Sequence, residues 1–102
     1  MNKPAAPTIS GGLSVEALER FYPREAEKRG VEGFVTVAVN LDPDGQATDP
    51  QILGESPPDM GFGAAAVALS RTLTFSNPTG AAVVFRFGVK FALPGGQRPP
   101  AQ

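Results

Sequence analysis

Few side chains in this sequence are equipped for chemistry, and what is missing says which kinds are excluded. The chain holds no histidine and no cysteine. That removes the usual general base, the thiolate nucleophiles and the commonest metal ligand. The carboxylates are scattered. Asp42 and Asp44 flank Pro43 in "DPDG", a spacing that suits turn chemistry, whereas a calcium loop needs several more oxygen ligands at fixed positions. No glycine-rich phosphate loop opens a helix. No enzymatic activity, cofactor or metal is expected. What remains is the chemistry of the main chain, whose amides and carbonyls bind wherever a strand edge is left unpaired. The stretch "GAAVVFRFGVKFAL", Gly80 to Leu93, alternates almost without a break and is followed by "PGGQRPPAQ", which can hardly supply a neighbouring strand.

The elements that would position such an edge can be read from periodicity. The chain has 102 residues with a net charge of −1, which suits one domain and argues against a general nucleic-acid or membrane-surface binder. Residues 1–12 and 94–102 are rich in Pro and Gly and read as a linker remnant and a disordered tail, which leaves 13–93 to fold. "KPAAPT" reads as the end of a Pro-rich spacer, so the chain is expected to be a domain cut from something longer. No apolar run is long enough to cross a membrane as a helix, and no signal peptide is visible.

"SVEALERFYP" is expected to form a helix capped by Ser14, with Val15, Leu18 and Phe21 on one face. Pro23 interrupts it and opens a second short helix, "PREAEKRG", closed by Gly30. Val35, Val37, Val39 and Leu41 then point one way, and Phe34, Thr36, Ala38 and Asn40 the other, which is a strand with one buried face. "DPDG" turns it into a second strand, about Gln46 to Leu53. Asp59 is placed to cap a third helix, with Phe62, Ala65, Ala66, Leu69 and Leu73 as its apolar stripe. "SNPTG" turns into the closing strand. There Val83, Phe85, Phe87, Val89, Phe91 and Leu93 form the apolar face, and Val84, Arg86, Gly88, Lys90 and Ala92 the other.

Strand order follows from one residue. Pro50 has no N–H to donate, so it belongs on an edge or at a bulge. If the second strand is an edge, the first is central and the order is 2-1-3. The fold class is α+β: a three-stranded antiparallel sheet with helices on one face, in a β-β-α-β order preceded by short helices. The closing strand is the other edge. Arg86 and Lys90 either blunt that edge against random pairing or help select an extended partner, and the two roles are compatible.

In this order of residues the chain from Phe21 to Leu93 resembles the C-terminal domain of the energy transducer TonB. The resemblance rests on Tyr22-Pro23, Ala26, Gly30, Gly33, "VTVAVNLDPDGQATDPQIL", Phe62, Ala65–Ala66, Phe75, Pro78 and the closing "KFAL". It departs from the family at Leu73, Thr74 and Phe75, where an aromatic-Arg pair is common, and at the loops "ESPPDMG" and "SNPTGA". The resemblance implies periplasmic residence, tethering to the inner membrane by an N-terminal helix, and association through that helix with an ExbB–ExbD proton channel. It implies pairing with the TonB-box segment of outer-membrane receptors, as in siderophore transport. The residues it points to are Val83, Val84, Phe85, Arg86, Phe87, Gly88, Val89, Lys90 and Phe91 on the edge strand, and Tyr22 and Pro23 at the helix kink. Other readings are an edge-to-edge homodimer, an envelope scaffold that binds cell-wall glycan, and a single-stranded nucleic-acid binder, which "FRFGVKF" faintly suggests. The last needs the phenylalanines that the core also needs.

Overall fold

The computed structural model describes residues 6–93; the expected tail at 94–102 and the first residues of the expected linker lie outside them. Two sheets and three helices follow in the order β1 (Thr8–Gly11), α1 (Val15–Phe21), α2 (Arg24–Arg29), β2 (Gly33–Leu41), β3 (Ala47–Ser56), α3 (Phe62–Ser70), β4 (Thr74–Ser76) and β5 (Val83–Phe91). The larger sheet has three strands in the order β3-β2-β5, both pairs antiparallel. This is the architecture expected from Pro50 and the alternation, with β2 central.

The short helices start and stop for local reasons. The Ser14 hydroxyl accepts the Ala17 N–H at 3.0 Å and caps α1, which satisfies one of the donors a helix start leaves over. Its buried residue is Ala17, with Leu18 and Phe21 packed at the core margin, while Val15 stands in solvent. Gly30 ends α2 in the left-handed conformation, φ 70°, which costs glycine little. Helix α3 ends earlier than its apolar stripe suggests: it stops at Ser70, and Leu73 is buried from the turn beyond it. Its N-cap is Gly61, without a side-chain cap bond, and not Asp59. The Glu55 carboxylate lies against Gly63, so near that an added Cβ would meet Oε1 at 2.6 Å. An anion there suits the positive end of the helix.

The sheet's covered face is closed by two aromatic groups. Tyr22, Phe62 and Phe91 meet at centroid distances of 5.4 to 5.8 Å. Phe75, Phe85 and Phe87 meet at 5.7 to 5.9 Å. Val35, Val37, Val39 and Leu41 fill the floor between them and are buried, each contributing roughly 1.5 to 3 kcal/mol by leaving water. Gly33 has to be small because a Cβ there would enter the Phe62 ring.

The second sheet corrects the sequence reading. Thr8–Gly11, expected within the linker, forms β1 and pairs antiparallel with β4. Ile9 opposite Phe75 explains why: both turn onto the core, Phe75 buried and Ile9 partly so. The loop after β4 is fastened by Asn77, which is buried. Its Nδ2 donates to the carbonyls of Asp42 and Ala81 at 2.8 Å, and its Oδ1 accepts the Thr79 hydroxyl at 2.6 Å. One amide thus ties the β4–β5 loop to the β2–β3 hairpin. Replacing Asn77 by Ala orphans those carbonyls and is expected to lower stability by about 2 kcal/mol, read as an earlier midpoint in urea with an unchanged slope.

Candidate functional site

The direction of each amide along β5 can be derived from two hydrogen bonds at its neighbours. At the hairpin, Asp42 N–H donates to Gln46 C=O at 3.0 Å, toward β3. Leu41, one residue earlier, therefore turns its main-chain groups the other way, toward β5. The β2–β5 register is unbroken from Leu41 opposite Val83 to Gly33 opposite Phe91. Val83, Phe85, Phe87, Val89 and Phe91 hence direct N–H and C=O at β2. Leu93 agrees: its N–H turns inward and donates to Glu32 Oε2 at 2.9 Å. By alternation Val84, Arg86, Gly88 and Lys90 direct theirs outward, where no strand of the described chain pairs with them.

These are the exposed residues of the strand; Val84 is 59% exposed. The inward set carries the core side chains. Side chains that hold the fold and amides that could hold a partner therefore belong to different residues. Arg86 and Lys90 stand on the open face, and among the described residues the one ion pair, Arg29 with Glu25, involves neither.

The opposite edge, β3, is a poorer template. Its register with β2 shifts twice, between Thr36 and Val37 and between Ala38 and Asn40. Asp49 has φ 52°, and Pro50 sits within the second shift, where its missing N–H breaks no regular ladder. Strand β5 offers nine residues in one register.

A residue the sequence reading passed over lies on the open face. Phe34 is 48% exposed, and its ring crosses the strand boundary to cover Gly88, where an added Cβ would meet Cζ at 2.5 Å. The signal was present: Phe34 is an aromatic among the polar-facing positions of β2, in diagonal reach of a glycine on the next strand.

Tyr22 and Pro23 mark the Phe91 end of β5. The Tyr22 side chain is core: it is 6% exposed, its ring meets Phe91 edge-on at 5.8 Å, and its hydroxyl donates to Val31 C=O at 2.6 Å. Pro23 is half-buried at the kink, beside Gly61. The Asp42 carboxylate accepts the N–H groups of Asp44 and Gln46 at 2.9 Å each, which is the turn role expected of it, and no acidic cluster fit for a metal occurs among the described residues.

Comparison with known proteins finds the same fold. The family model described as Gram-negative bacterial TonB protein C-terminal matches residues 19–93. The chain belongs to the TonB C-terminal family. Two solution structures of the Helicobacter pylori TonB C-terminal domain are similar. That of residues 179–285 shares 26% identity over 82% of this chain and 87% of the other, with a TM-score of 0.58. That of residues 194–285 shares 23% over 79% and 90%, with a TM-score of 0.56. The Pseudomonas aeruginosa TonB C-terminal domain shares 22% over 92% and 91%, with a TM-score of 0.54, and supports the fold. Among curated proteins no sequence match was found. TonB C-terminal domains are periplasmic domains of transport and protein interaction in Gram-negative bacteria and form no known enzyme family. No described helix is long and apolar enough to cross a membrane.

Two measurements check this geometry. Amide exchange is expected to be fast at Val84, Arg86, Gly88 and Lys90 and slow at Phe85, Phe87 and Val89; equal protection along β5 would mean that its outer row is paired. For Tyr22, burial pushes the phenol above its ordinary 10.0, with Glu32 and Glu27 adding to the shift. The folded state thus holds this proton more tightly than the unfolded one. The stability it contributes is complete below pH 10 and lost as pH rises past 10 through the folded value. Tyr22→Phe is expected to cost about 1 kcal/mol at neutral pH through the lost bond to Val31 and to flatten that alkaline loss. Tyr22 is the chain's one tyrosine, so ultraviolet titration reads it alone.

Proposed function

We propose that this domain captures a receptor peptide by strand addition: the TonB-box segment of an outer-membrane receptor pairs with the outer row of β5. The captured segment links the receptor to an inner-membrane transducer driven through ExbB–ExbD by the proton motive force. The observation that carries the reading is the outward ladder of Val84, Arg86, Gly88 and Lys90 in an unshifted strand. In strand addition the main chain supplies affinity and alternate side chains supply selectivity. Family membership supports it, because TonB C-terminal domains interact with outer-membrane receptors. The phenylalanines a nucleic-acid reading would use are engaged within the chain: Phe87 and Phe91 are buried and Phe85 is stacked on Phe87 at 5.7 Å.

Proline at an outward position tests the proposal. In Val84→Pro the missing N–H removes no bond to β2, so the domain is expected to stay folded with less than about 1 kcal/mol lost. Binding of receptor N-terminal peptides, followed by amide NMR, is expected to weaken roughly five-fold or more, since one main-chain bond of about 1 kcal/mol is lost. Phe87→Pro, which removes an inward donor and a core ring, is expected to unfold the domain. Gly88→Pro is a less clean test because the added ring meets Phe34. A folded Val84→Pro variant that binds peptide as well as the parent, with no shifts at Arg86, Gly88 or Lys90, rules the β5 edge out.

A further inference from the structure

The β5 edge carries a charge pattern that specifies more than an extended segment. Arg86, Gly88 and Lys90 are consecutive members of the outward set, so cation, gap and cation recur on one face of one strand. Their neighbours across β2 are Ala38, Thr36 and Phe34. None is acidic, and neither cation has an ion-pair partner among the described residues. The Glu32 carboxylate, diagonal to Lys90, is engaged by the Leu93 N–H, and the side beyond β5, where a partner strand would lie, is free to supply a countercharge. At Gly88 no side chain stands between an incoming residue and the Phe34 ring that covers it.

We infer that the preferred occupant of the β5 edge is an extended segment with the pattern acid, any, large apolar, any, acid: its two carboxylates face Arg86 and Lys90, and its central side chain crosses Gly88 to the Phe34 ring. This inference rests on the strand-addition reading above. Strands in a sheet lie about 4.8 Å apart, and directly opposed Cβ atoms about 5 Å apart, which puts a carboxylate within reach of either cation. The pattern is symmetric about Gly88, so it holds for a segment running in either direction. The intervening residues fall beside Phe87 and Val89 at the core margin and favour apolar, β-branched side chains.

The same pattern argues against a second copy of this chain as the occupant. Two β5 strands paired antiparallel about Gly88 would set Arg86 against Lys90 twice and leave every cation facing another. Like charges opposed on neighbouring strands destabilise the pair.

Two synthetic peptides test the inference, one centred on Glu-Val-Phe-Val-Glu and its twin centred on Lys-Val-Phe-Val-Lys. Each is titrated into the domain and into an Arg86→Glu/Lys90→Glu variant, with amide NMR as the readout. The acidic peptide is expected to bind roughly ten-fold more tightly than its twin at low salt, and the preference to shrink at high salt. Shifts are expected first at Val84 to Lys90, and the charge-reversed variant is expected to prefer the basic peptide. Equal binding of both peptides with the same β5 shifts overturns the charge pattern and leaves strand addition standing. No β5 shift with either peptide overturns both. A preference for the acidic peptide that survives charge reversal overturns the assignment to Arg86 and Lys90. Displacement of the acidic peptide by an oligodeoxythymidylate at equal concentration reassigns the cations to a polyanion and also overturns it.

Discussion

Everything at this site depends on a coupling built into any strand: the alternation that sends a side chain up or down also sends its amide left or right. In β5 the residues facing the helices are the ones that bond to β2. The core therefore selects which main-chain groups are left over, and it leaves those of Val84, Arg86, Gly88 and Lys90. Burial of Phe87, Val89 and Phe91 holds the strand in register, and register keeps the outer row evenly spaced. A one-residue slip would expose the phenylalanines and cost several kcal/mol of burial. The edge is exposed, yet the core beneath it fixes its register.

The two edges of the sheet are treated differently, and local sequence does the work. On β3 the left-handed Asp49, Pro50 and the two register shifts spoil the outer row. On β5 nothing of the kind interrupts the ladder, and the one device present is charge. Gly88 would weaken an edge strand by itself, since it has no side chain to pack. Phe34 compensates by lying across it from β2. The outcome is a strand that is regular at the backbone, thin at its middle and cationic on either side.

Much of this was legible in the residues. Period two over Phe34–Leu41 and Val83–Phe91 named β2 and β5 and their buried faces. The lone Pro50 gave the strand order, because a missing N–H is a constraint that no tertiary context removes. The unforeseen parts depend on contacts remote in sequence. Nothing in "TISG" announces a strand until Phe75 is known to lie opposite Ile9, and Pro and Gly around it read as linker. Leu73 fits a helical stripe, yet it reaches the core from a turn, since both paths put an apolar residue inward. Asn77 looks like any turn asparagine, and its bond to Asp42 spans a separation that local turn chemistry does not reach. Tyr22 marks the kink in the sequence, and its hydroxyl bond to Val31 and edge-on contact with Phe91 place the ring in the core.

The strength of the proposed capture follows from the same geometry. Each outward residue offers one donor and one acceptor, and each main-chain hydrogen bond adds only about 1 kcal/mol net in water. A partner pairing along this short row begins from a loss of translational and conformational freedom of several kcal/mol. The surplus is small, and a dissociation constant on the order of micromolar or weaker follows. Exposed carboxylate pairs with Arg86 and Lys90 add little more to equilibrium binding; their larger effect falls on the rate of encounter and on which segments are refused. Weak binding here is a consequence of placing the binding groups on the backbone. An edge used this way tolerates many partner sequences, so its discrimination has to come from the few side chains that share its face. On β5 those are two cations and the ring behind Gly88.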